Sequence, residues 1–194
     1  MGDDGRVIVL ETSRLTVRTF EPADLAALAR LHRDGTAHRC VGTAEPHGRG
    51  RAESSIRRAG QQGAAPTQGT WAVVDRASRA FVGECGLREL EGGPAVEVDC
   101  LIGSAHRGRG LATELLDALL CHGFTHLGLD RIVAVASPDD LASVRLMEKL
   151  SMRFAREGGY YGRDCLLYEI DRAEWEAAHP ESAPEPDPLA DDEE

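Results

Sequence analysis

The chain has 194 residues, enough for one domain with a sizeable hydrophobic core. Its net charge is −11, and seven acids lie in residues 179–194, so that removing those seven charges leaves −4 for the remainder. Nucleic-acid-binding proteins usually carry a basic face, and membrane proteins need a long apolar run. The chain shows neither, and its N-terminus lacks a signal-peptide pattern.

Apolar patterns predict the elements of the first half. Residues that alternate between apolar and polar indicate half-buried strands, and leucines spaced three apart indicate one face of a helix. A region rich in Gly, Arg, Pro and Gln indicates loop. The predicted elements are, in order, a strand over 14–19, a helix from Glu21-Pro22, a mostly loop region over 35–69 with a short helix over 52–61, and strands over 70–75 and 80–87.

The second half alternates strands and helices, which together with the first half predicts a mixed α/β domain. Pro138 and Asp140 precede a helical pattern, as residues at a helix start often do. The predicted elements are a strand over 96–102, a helix over 111–124, a strand over 131–136, a helix from 140 to about 150, a strand over 164–170 and a short helix around Trp175.

The cysteines and the tail indicate the compartment and the domain boundary. Five scattered cysteines without a C-x-x-C pair are typical of reduced thiols in a cytoplasmic protein, and they argue against a disulfide framework or a zinc site. Residues 179–194 combine acids with four prolines and contain no Lys or Arg. We therefore predict one domain over residues 1–178 and a disordered acidic, proline-rich tail over 179–194.

The most informative stretch is the turn between the predicted strand over 96–102 and the helix over 111–124. Gly108 and Gly110 let a ligand approach the main chain there. The first amides of a helix have no intrahelical partner and lie at the positive end of its dipole. Such a turn predicts an anion site, most often for phosphate, although a tight connection without a ligand has the same pattern.

Two common phosphate-binding motifs do not fit this turn. A Rossmann fingerprint needs a small residue three positions after Gly110, where Thr113 stands. It also needs an acid at the end of the next strand, but the first acid there is Asp139. A P-loop needs Gly-Lys-Ser/Thr, which the chain lacks. A nucleotide-binding oxidoreductase half-domain is therefore a poor third hypothesis.

The turn does fill every defined position of another signature, Arg/Gln-x-x-Gly-x-Gly/Ala, with Arg107-Gly108-Arg109-Gly110-Leu111-Ala112. This is the acetyl-CoA signature of the GCN5-related N-acetyltransferase (GNAT) family, which the chain resembles over about residues 12–172. Three flanking segments resemble the RimJ/RimL-like branch of that family: Thr12 to Phe20, Gly83-Glu84-x-Gly86-Leu87, and Ala142-Ser143 with Glu148-Lys149-Leu150.

The resemblance implies a mixed, mostly antiparallel sheet flanked by helices, with acetyl-CoA at the strand–turn–helix of residues 96–124. It implies direct transfer of the acetyl group to an amine, either a protein N-terminal α-amino group or a small molecule, without a metal. Nucleic acid and membrane are not expected partners, and a homodimer is left open. The implied cofactor-binding residues are Ile102, Arg107, Gly108, Arg109, Gly110, Leu111, Ala112, Thr113, Asp140 and Ser143.

The attacking amine must lose a proton, and three acids are candidate bases. Strand alternation places Glu97 and Asp99 on one face, where two close carboxylates would raise one pKa into a useful range. Glu84 is the third candidate, and an exposed acidic strand face or a water acting as base are the alternatives. The resemblance assigns Ser143 a hydrogen bond to the leaving thiolate, and Tyr160 or Tyr161 are further candidate acids or acceptor-site walls.

Two departures from the family pattern support a second hypothesis. Relatives often carry Asn at the position of Asp140, and an ionised Asp cannot donate a hydrogen bond to a cofactor. Many relatives carry a tyrosine acid at the position of Met147, which cannot donate a proton. A non-catalytic acyl-CoA-binding or regulatory module of the same fold is therefore the alternative to an enzyme.

Overall fold

An eight-stranded mixed sheet forms the centre of the computed structural model, which describes residues 7–33, 48–61 and 68–182. Most of the predicted loop over 35–69 and the last twelve residues of the predicted tail lie outside the described residues. The strands are β1 (Ile8–Glu11), β2 (Leu15–Arg18), β3 (Gly69–Asp75), β4 (Phe81–Glu89), β5 (Val96–Ile102), β6 (Arg131–Ala136), β7 (Arg153–Tyr160) and β8 (Arg163–Asp171).

Five helices connect or cover these strands in the described part of the chain. They are α1 (Leu25–Arg33), α2 (Arg49–Gln61), α3 (Leu111–Thr125), α4 (Leu141–Lys149) and α5 (Arg172–Ala178), and short 3-10 turns lie at Pro22–Asp24, Ser104–His106 and Pro180–Ser182. No helix among the described residues is both long enough and apolar enough to cross a membrane.

The strand order is β1-β2-β3-β4-β5-β6-β8-β7, and every neighbouring pair is antiparallel except β5 and β6. The prediction of a mixed, mostly antiparallel sheet flanked by helices is therefore confirmed. The one parallel pair needs a crossover, and α3 provides it between the end of β5 and the start of β6.

The two parallel strands pair only at their beginnings. Val96 lies opposite Ile132 and Glu97 opposite Val133, and beyond these positions β5 pairs with β4 alone. The strands therefore separate after Glu97. Because the backbone groups of β5 that face β6 lose their sheet partner there, this opening in the sheet is a place where an extended ligand can pair with a strand edge.

The hydrophobic core lies on both faces of the sheet. Alternate residues of β5, Val96 and Val98, join the main buried cluster with the apolar face of α3 and with Trp175 of α5. Leu101 points to the other face, where it packs against a cluster formed by α1 and α2. The odd- and even-numbered residues of β5 thus pack on opposite faces of the sheet, as the two-residue period of a strand requires.

Two strands were not predicted, and both lie at an edge of the sheet. β1 is a short apolar run that remains partly exposed, so it lacks the alternation of a half-buried strand. β7 has the sequence Arg-Phe-Ala-Arg-Glu-Gly-Gly-Tyr and is mostly exposed. Its two glycines disfavour a strand when the sequence is considered alone. Each is a strand because its neighbour supplies a ladder of hydrogen bonds.

Three predicted boundaries also differ from the structure. The helix predicted from Glu21 begins as a 3-10 turn and becomes α-helical only at Leu25. α2 begins at Arg49, three residues before its predicted start. Order continues past the predicted tail boundary at 179, because the His179 ring stacks on Trp175 with centroids 5.0 Å apart and a 3-10 turn follows over Pro180–Ser182.

The glycine turn before α3 is held in place by the loop between β1 and β2. Arg14 donates through Nη1 to the carbonyl of Arg109 at 2.8 Å and through Nε to Glu114 at 2.5 Å. Thr12, Ser13 and the backbone N–H of Arg14 also donate to the same carboxylate. Glu114 therefore ties the first turn of α3 to the loop between β1 and β2.

Replacing Glu114 by Gln is expected to lower the free energy of unfolding by about 1–2 kcal/mol at pH 7, because hydrogen bonds to a charged acceptor are the stronger ones. Partial burial works to raise the pKa of Glu114, but hydrogen bonds from Thr12, Arg14 and Ser13 hold it at about 2. A lowered folded-state pKa contributes stability that is present above the unfolded value near ~4.3 and lost as the pH falls toward 2.

Urea unfolding of both proteins at neutral and at strongly acidic pH would measure this contribution. The stability difference between wild type and Glu114→Gln should shrink as the pH falls from about 4.5 toward 2. A difference that stays constant over that interval would show that the ionised carboxylate does not stabilise the turn.

Candidate active site

A cavity of about 650 Å³ opens between the sheet and the glycine turn, where β5 and β6 separate. The sheet wall, formed by β4 and β5, contributes three acids to its lining: Glu84, Glu97 and Asp99. The opposite wall, formed by the turn and α4, contributes three bases: Arg107, Arg145 and Lys149. Each wall also carries one charge of the opposite sign, Arg88 on the sheet side and Asp140 at the start of α4, so acids predominate on the sheet side and cations on the side of the turn and α4.

The turn itself has the backbone of an anion site. Gly108 and Gly110 have φ values of 72° and 75°, in the left-handed region that glycine adopts without strain. The first intrahelical bond of α3 runs from the Glu114 N–H to the Gly110 carbonyl at 3.2 Å, so the amides of Leu111, Ala112 and Thr113 precede the helical ladder. All three of these residues line the cavity.

The predicted cofactor residues do not all present free groups to this cavity. The carbonyl of Ile102 accepts a hydrogen bond from Arg107 Nε at 2.9 Å, which fixes the approach of the chain to the turn. Asp140 is the N-cap of α4, and its carboxylate accepts from the Ser143 N–H at 3.2 Å and from the Ser143 hydroxyl at 2.9 Å. The structure therefore directs the Ser143 proton to Asp140 rather than into the cavity.

The two predicted carboxylates on β5 meet at one guanidinium. Arg88 of β4 lies 2.9 Å from Asp99 Oδ2 and 3.4 Å from Glu97 Oε2, both measured from Nη2. Glu97 is only 2% exposed, whereas Asp99 is partly exposed to the cavity. The alternative of a solvated acidic strand face therefore does not apply to Glu97.

Burial and the neighbouring Asp99 raise the pKa of Glu97 to about 7, and Arg88 and a hydrogen bond from Tyr161 act against that rise. A carboxyl whose pKa is raised this far changes its protonation state close to neutral pH. It can accept a proton as a carboxylate and hold it as an acid in the same pH range.

The two adjacent tyrosines have different surroundings, and the prediction of Tyr160 as a catalytic residue is not supported by its position. Tyr160 is buried on the sheet with Val133 and Leu167, and its hydroxyl accepts a hydrogen bond from Arg156 at 3.0 Å. Tyr161 lies at the tip of the β7–β8 turn with φ of 54°. This backbone conformation positions the Tyr161 hydroxyl to donate a hydrogen bond to Glu97. Tyr161, and not Tyr160, therefore contacts Glu97 in the cavity.

Tyr161→Phe is expected to raise the pKa of Glu97 above about 7, because the lost hydrogen bond stabilised the carboxylate. The rising limb of kcat/KM against pH should therefore move to higher pH by several tenths of a unit or more. Tyr160→Phe is the matched control, since it removes one hydroxyl from the next residue without touching Glu97. Equal profiles for both variants would show that Tyr161 does not act on the base.

A second buried acid on the sheet wall is paired with a histidine from α1. Glu84 is 8% exposed, and its Oε1 lies 2.7 Å from Nε2 of His32, which is 1% exposed. Glu84 lies directly opposite Leu101 on β5. The pair joins α1 to the acidic wall of the cavity.

Four residues of the site were not predicted as such: His32, Arg88, Arg145 and Lys149. A signal existed for the two on α4, because Ala142, Arg145 and Lys149 recur at three- and four-residue spacing on one helical face. Lys149 is also the only lysine of the chain. His32 and Arg88 carry no local pattern, since their partners are distant in sequence. Within the described ranges, no group of three or more His, Cys, Asp or Glu side chains is arranged to hold a metal ion.

Comparison with known proteins places this chain in a family. Residues 14–153 match the model of the acetyltransferase (GNAT) domain. The chain is 28% identical over 151 residues to "Uncharacterized N-acetyltransferase p20" of Bacillus licheniformis, covering 77% of this chain and 83% of that protein. It is 27% identical over 101 residues to "Uncharacterized protein YkkB" of Bacillus subtilis, covering 51% of this chain and 59% of that protein.

A solved structure shows the same fold. The acetyltransferase (GNAT family) from Bacillus anthracis superposes with a TM-score of 0.69 at 22% identity, covering 84% of this chain and 98% of that chain. Identity at this level supports the architecture alone, and the chemistry of the site has to be argued from its residues.

Proposed function

Because the chain belongs to the GNAT family of acetyltransferases, we propose that it is an acetyl-CoA-dependent N-acetyltransferase that acetylates an amine by direct attack. The acceptor is a small-molecule amine or a protein N-terminal α-amino group, and the RimJ/RimL-like motifs at residues 12–20 and 83–87 support that branch. The observation that carries the proposal is the position of Glu97, a buried carboxyl of pKa about 7, at the point where β5 and β6 separate.

The residues present fit the phosphates and the arm of acetyl-CoA. Amides that precede the helical ladder and two left-handed glycines form an anion site at the start of α3. Arg145 and Lys149 add positive charge from α4 on the same wall. The edge of β5 that faces the opening carries backbone groups that would hold the amide-bearing arm by strand pairing.

The residues of the acidic wall prepare the acceptor. Bound acetyl-CoA supplies a thioester, which is an acyl group activated for attack by an amine. Glu97 accepts the proton that the attacking nitrogen loses, while Arg88 and Tyr161 hold its carboxylate in place. Asp99 forms the shorter ion pair with Arg88, and its negative charge helps to raise the pKa of Glu97 to about 7, so Glu97 is the acid of the pair suited to neutral pH.

Calorimetric titration with acetyl-CoA, followed by a free-thiol assay on a panel of amines and N-terminal peptides, tests the proposal. Binding with thiol release that depends on the amine is the expected result. Binding without release on any acceptor would favour the non-catalytic module, an alternative consistent with the Ser143 hydroxyl donating to Asp140 and with buried Met147. Absence of binding would contradict the assignment of the turn.

A further inference from the structure

Glu84 presents a carboxylate oxygen to the cavity that the proposed transfer does not use. The residue is 8% exposed, and its Oε1 is paired with Nε2 of His32. The described residues provide no hydrogen bond or ion pair to Oε2. Arg88 attracts Glu84 electrostatically at longer range, because its direct ion pairs are with Asp99 and Glu97. A carboxylate oxygen that has no donor, on a buried residue lining a cavity, favours a cationic or N–H-bearing ligand.

His32 keeps that carboxylate in place and leaves its charge available. The Nδ1 atom of His32 is buried without a hydrogen-bond partner. A doubly protonated ring would therefore bury an N–H without an acceptor, which is costly. Donation from Nε2 leaves Nδ1 as a bare acceptor, so the tautomer with hydrogen on Nε2 makes this contact with Glu84 without burying an unpaired N–H.

Glu84 lies at a defined distance from the proposed base. Its cross-strand partner Leu101 is four residues beyond Glu97 on β5, which corresponds to roughly 13 Å along the strand. Between them, Asp99 is already paired with Arg88. Glu84 itself stands on β4, about 4.8 Å to the side of β5, so the diagonal separation from Glu97 is about 14 Å. Two ammonium-to-carboxylate hydrogen bonds of about 2.8 Å each then leave about 8 Å between two acceptor nitrogens, close to an extended diaminohexane.

We propose that Glu84, positioned by His32, binds a second ammonium group of the acceptor, so that the preferred acceptors are flexible diamines or polyamines rather than monoamines or N-terminal peptides. This inference rests on the proposed N-acetyltransferase function and specifies its acceptor. One amino group attacks after losing its proton to Glu97, and the other remains charged at Glu84.

The experiment compares diaminobutane, diaminohexane, diaminooctane and hexylamine as acceptors for the wild-type protein. We expect kcat/KM to be highest for a diamine near the length of diaminohexane and to be roughly 10- to 100-fold lower for hexylamine, the range expected for a hydrogen bond between charged groups. Equal values for hexylamine and diaminohexane, or a preference for N-terminal peptides over every diamine, would overturn the proposal.

Glu84→Gln tests the residue itself. The variant should raise KM for diaminohexane by roughly 10-fold or more with little change in kcat, and its loss with hexylamine should be much smaller than its loss with the diamine. Glu89→Gln is the matched control, because Glu89 lies on the same strand but is exposed outside the cavity lining. Equal losses on the diamine and the monoamine would show a general structural role for Glu84.

His32 variants separate positioning from folding. Gln can supply an N–H close to the position of the His Nε2 donor, so His32→Gln should retain the diamine preference, whereas His32→Leu should lose it. Thermal unfolding of both variants establishes that they are folded. If no amine at all is acetylated, the proposed function fails; if amines are acetylated without a diamine preference, only the inference about Glu84 fails.

Discussion

Replacing Glu97 by Gln is expected to lower kcat/KM at pH 7 by roughly 10²- to 10⁴-fold, the contribution usual for a general base. Gln retains the size of the side chain and an oxygen that accepts from Tyr161, but it cannot take a proton. Acetyl-CoA binding should be unchanged, since the anion site lies on the opposite wall. Glu157→Gln, an exposed acid on β7, is the control for loss of one negative charge.

The pH dependence gives a second measurement of the same residue. Wild-type kcat/KM should rise with pH around a midpoint near 7, because Glu97 is active as the carboxylate and its pKa is about 7. The pH profile of the Glu97→Gln variant should lack this rise in kcat/KM. A wild-type profile without a transition between about pH 6 and 8 would argue for a water as the base.

The acceptor should modulate the loss caused by Glu97→Gln. A lysine-like amine of pKa ~10.4 is only about one part in a thousand neutral at pH 7, whereas an α-amino group of pKa near ~7.8 is roughly a tenth neutral. The variant should therefore lose more activity with alkyl amines than with N-terminal peptides. Equal losses on both classes would contradict the role of Glu97 as base.

Gly110→Val is expected to reduce acetyl-CoA affinity more than 100-fold. Gly110 lines the cavity, and a Cβ atom at this position meets only Arg14, at 3.7 Å, so the new side chain takes up open space beside the helix amides. The substitution also forces a β-branched residue to a φ near 75°, which costs about 1–2 kcal/mol of stability. Both effects act on the segment that would hold phosphate.

A matched variant separates the two effects. Gly92→Val places the same side chain at φ of 85° in the β4–β5 turn, where a Cβ atom meets nothing within 4 Å. Both variants should lose similar stability in urea unfolding, but only Gly110→Val should lose acetyl-CoA binding in calorimetry. Similar loss of binding in both would mean that general destabilisation, and not the cavity, is responsible.

Several features of the site follow from local sequence patterns. The glycine signature and the apolar runs on either side of it predict the β5–turn–α3 unit, and the structure has this unit within one residue of the predicted bounds. Alternation predicts that Glu97 and Asp99 share a face, and they share Arg88. These predictions depend on neighbours only a few residues apart, where the periods of strands and helices hold.

Other features have no local signal. The edge strands β1 and β7 exist because a partner strand completes their hydrogen bonds. Tyr161 rather than Tyr160 reaches Glu97 because of a turn whose backbone enters the left-handed region. The contact of His32 with Glu84 joins residues 52 positions apart. Such contacts depend on how the layers pack, which no short window of sequence contains.

The sequence alone predicted a mixed α/β protein, a glycine turn before α3 with the pattern of an anion site, and acids on the preceding strand. The tertiary structure alone decided which acid is buried, where β5 and β6 separate and which charges face each other across the cavity. The reason is physical: strand alternation and helix starts are set by covalent neighbours, whereas the pKa of Glu97 depends on burial and on Arg88 and Tyr161, which distant parts of the chain supply.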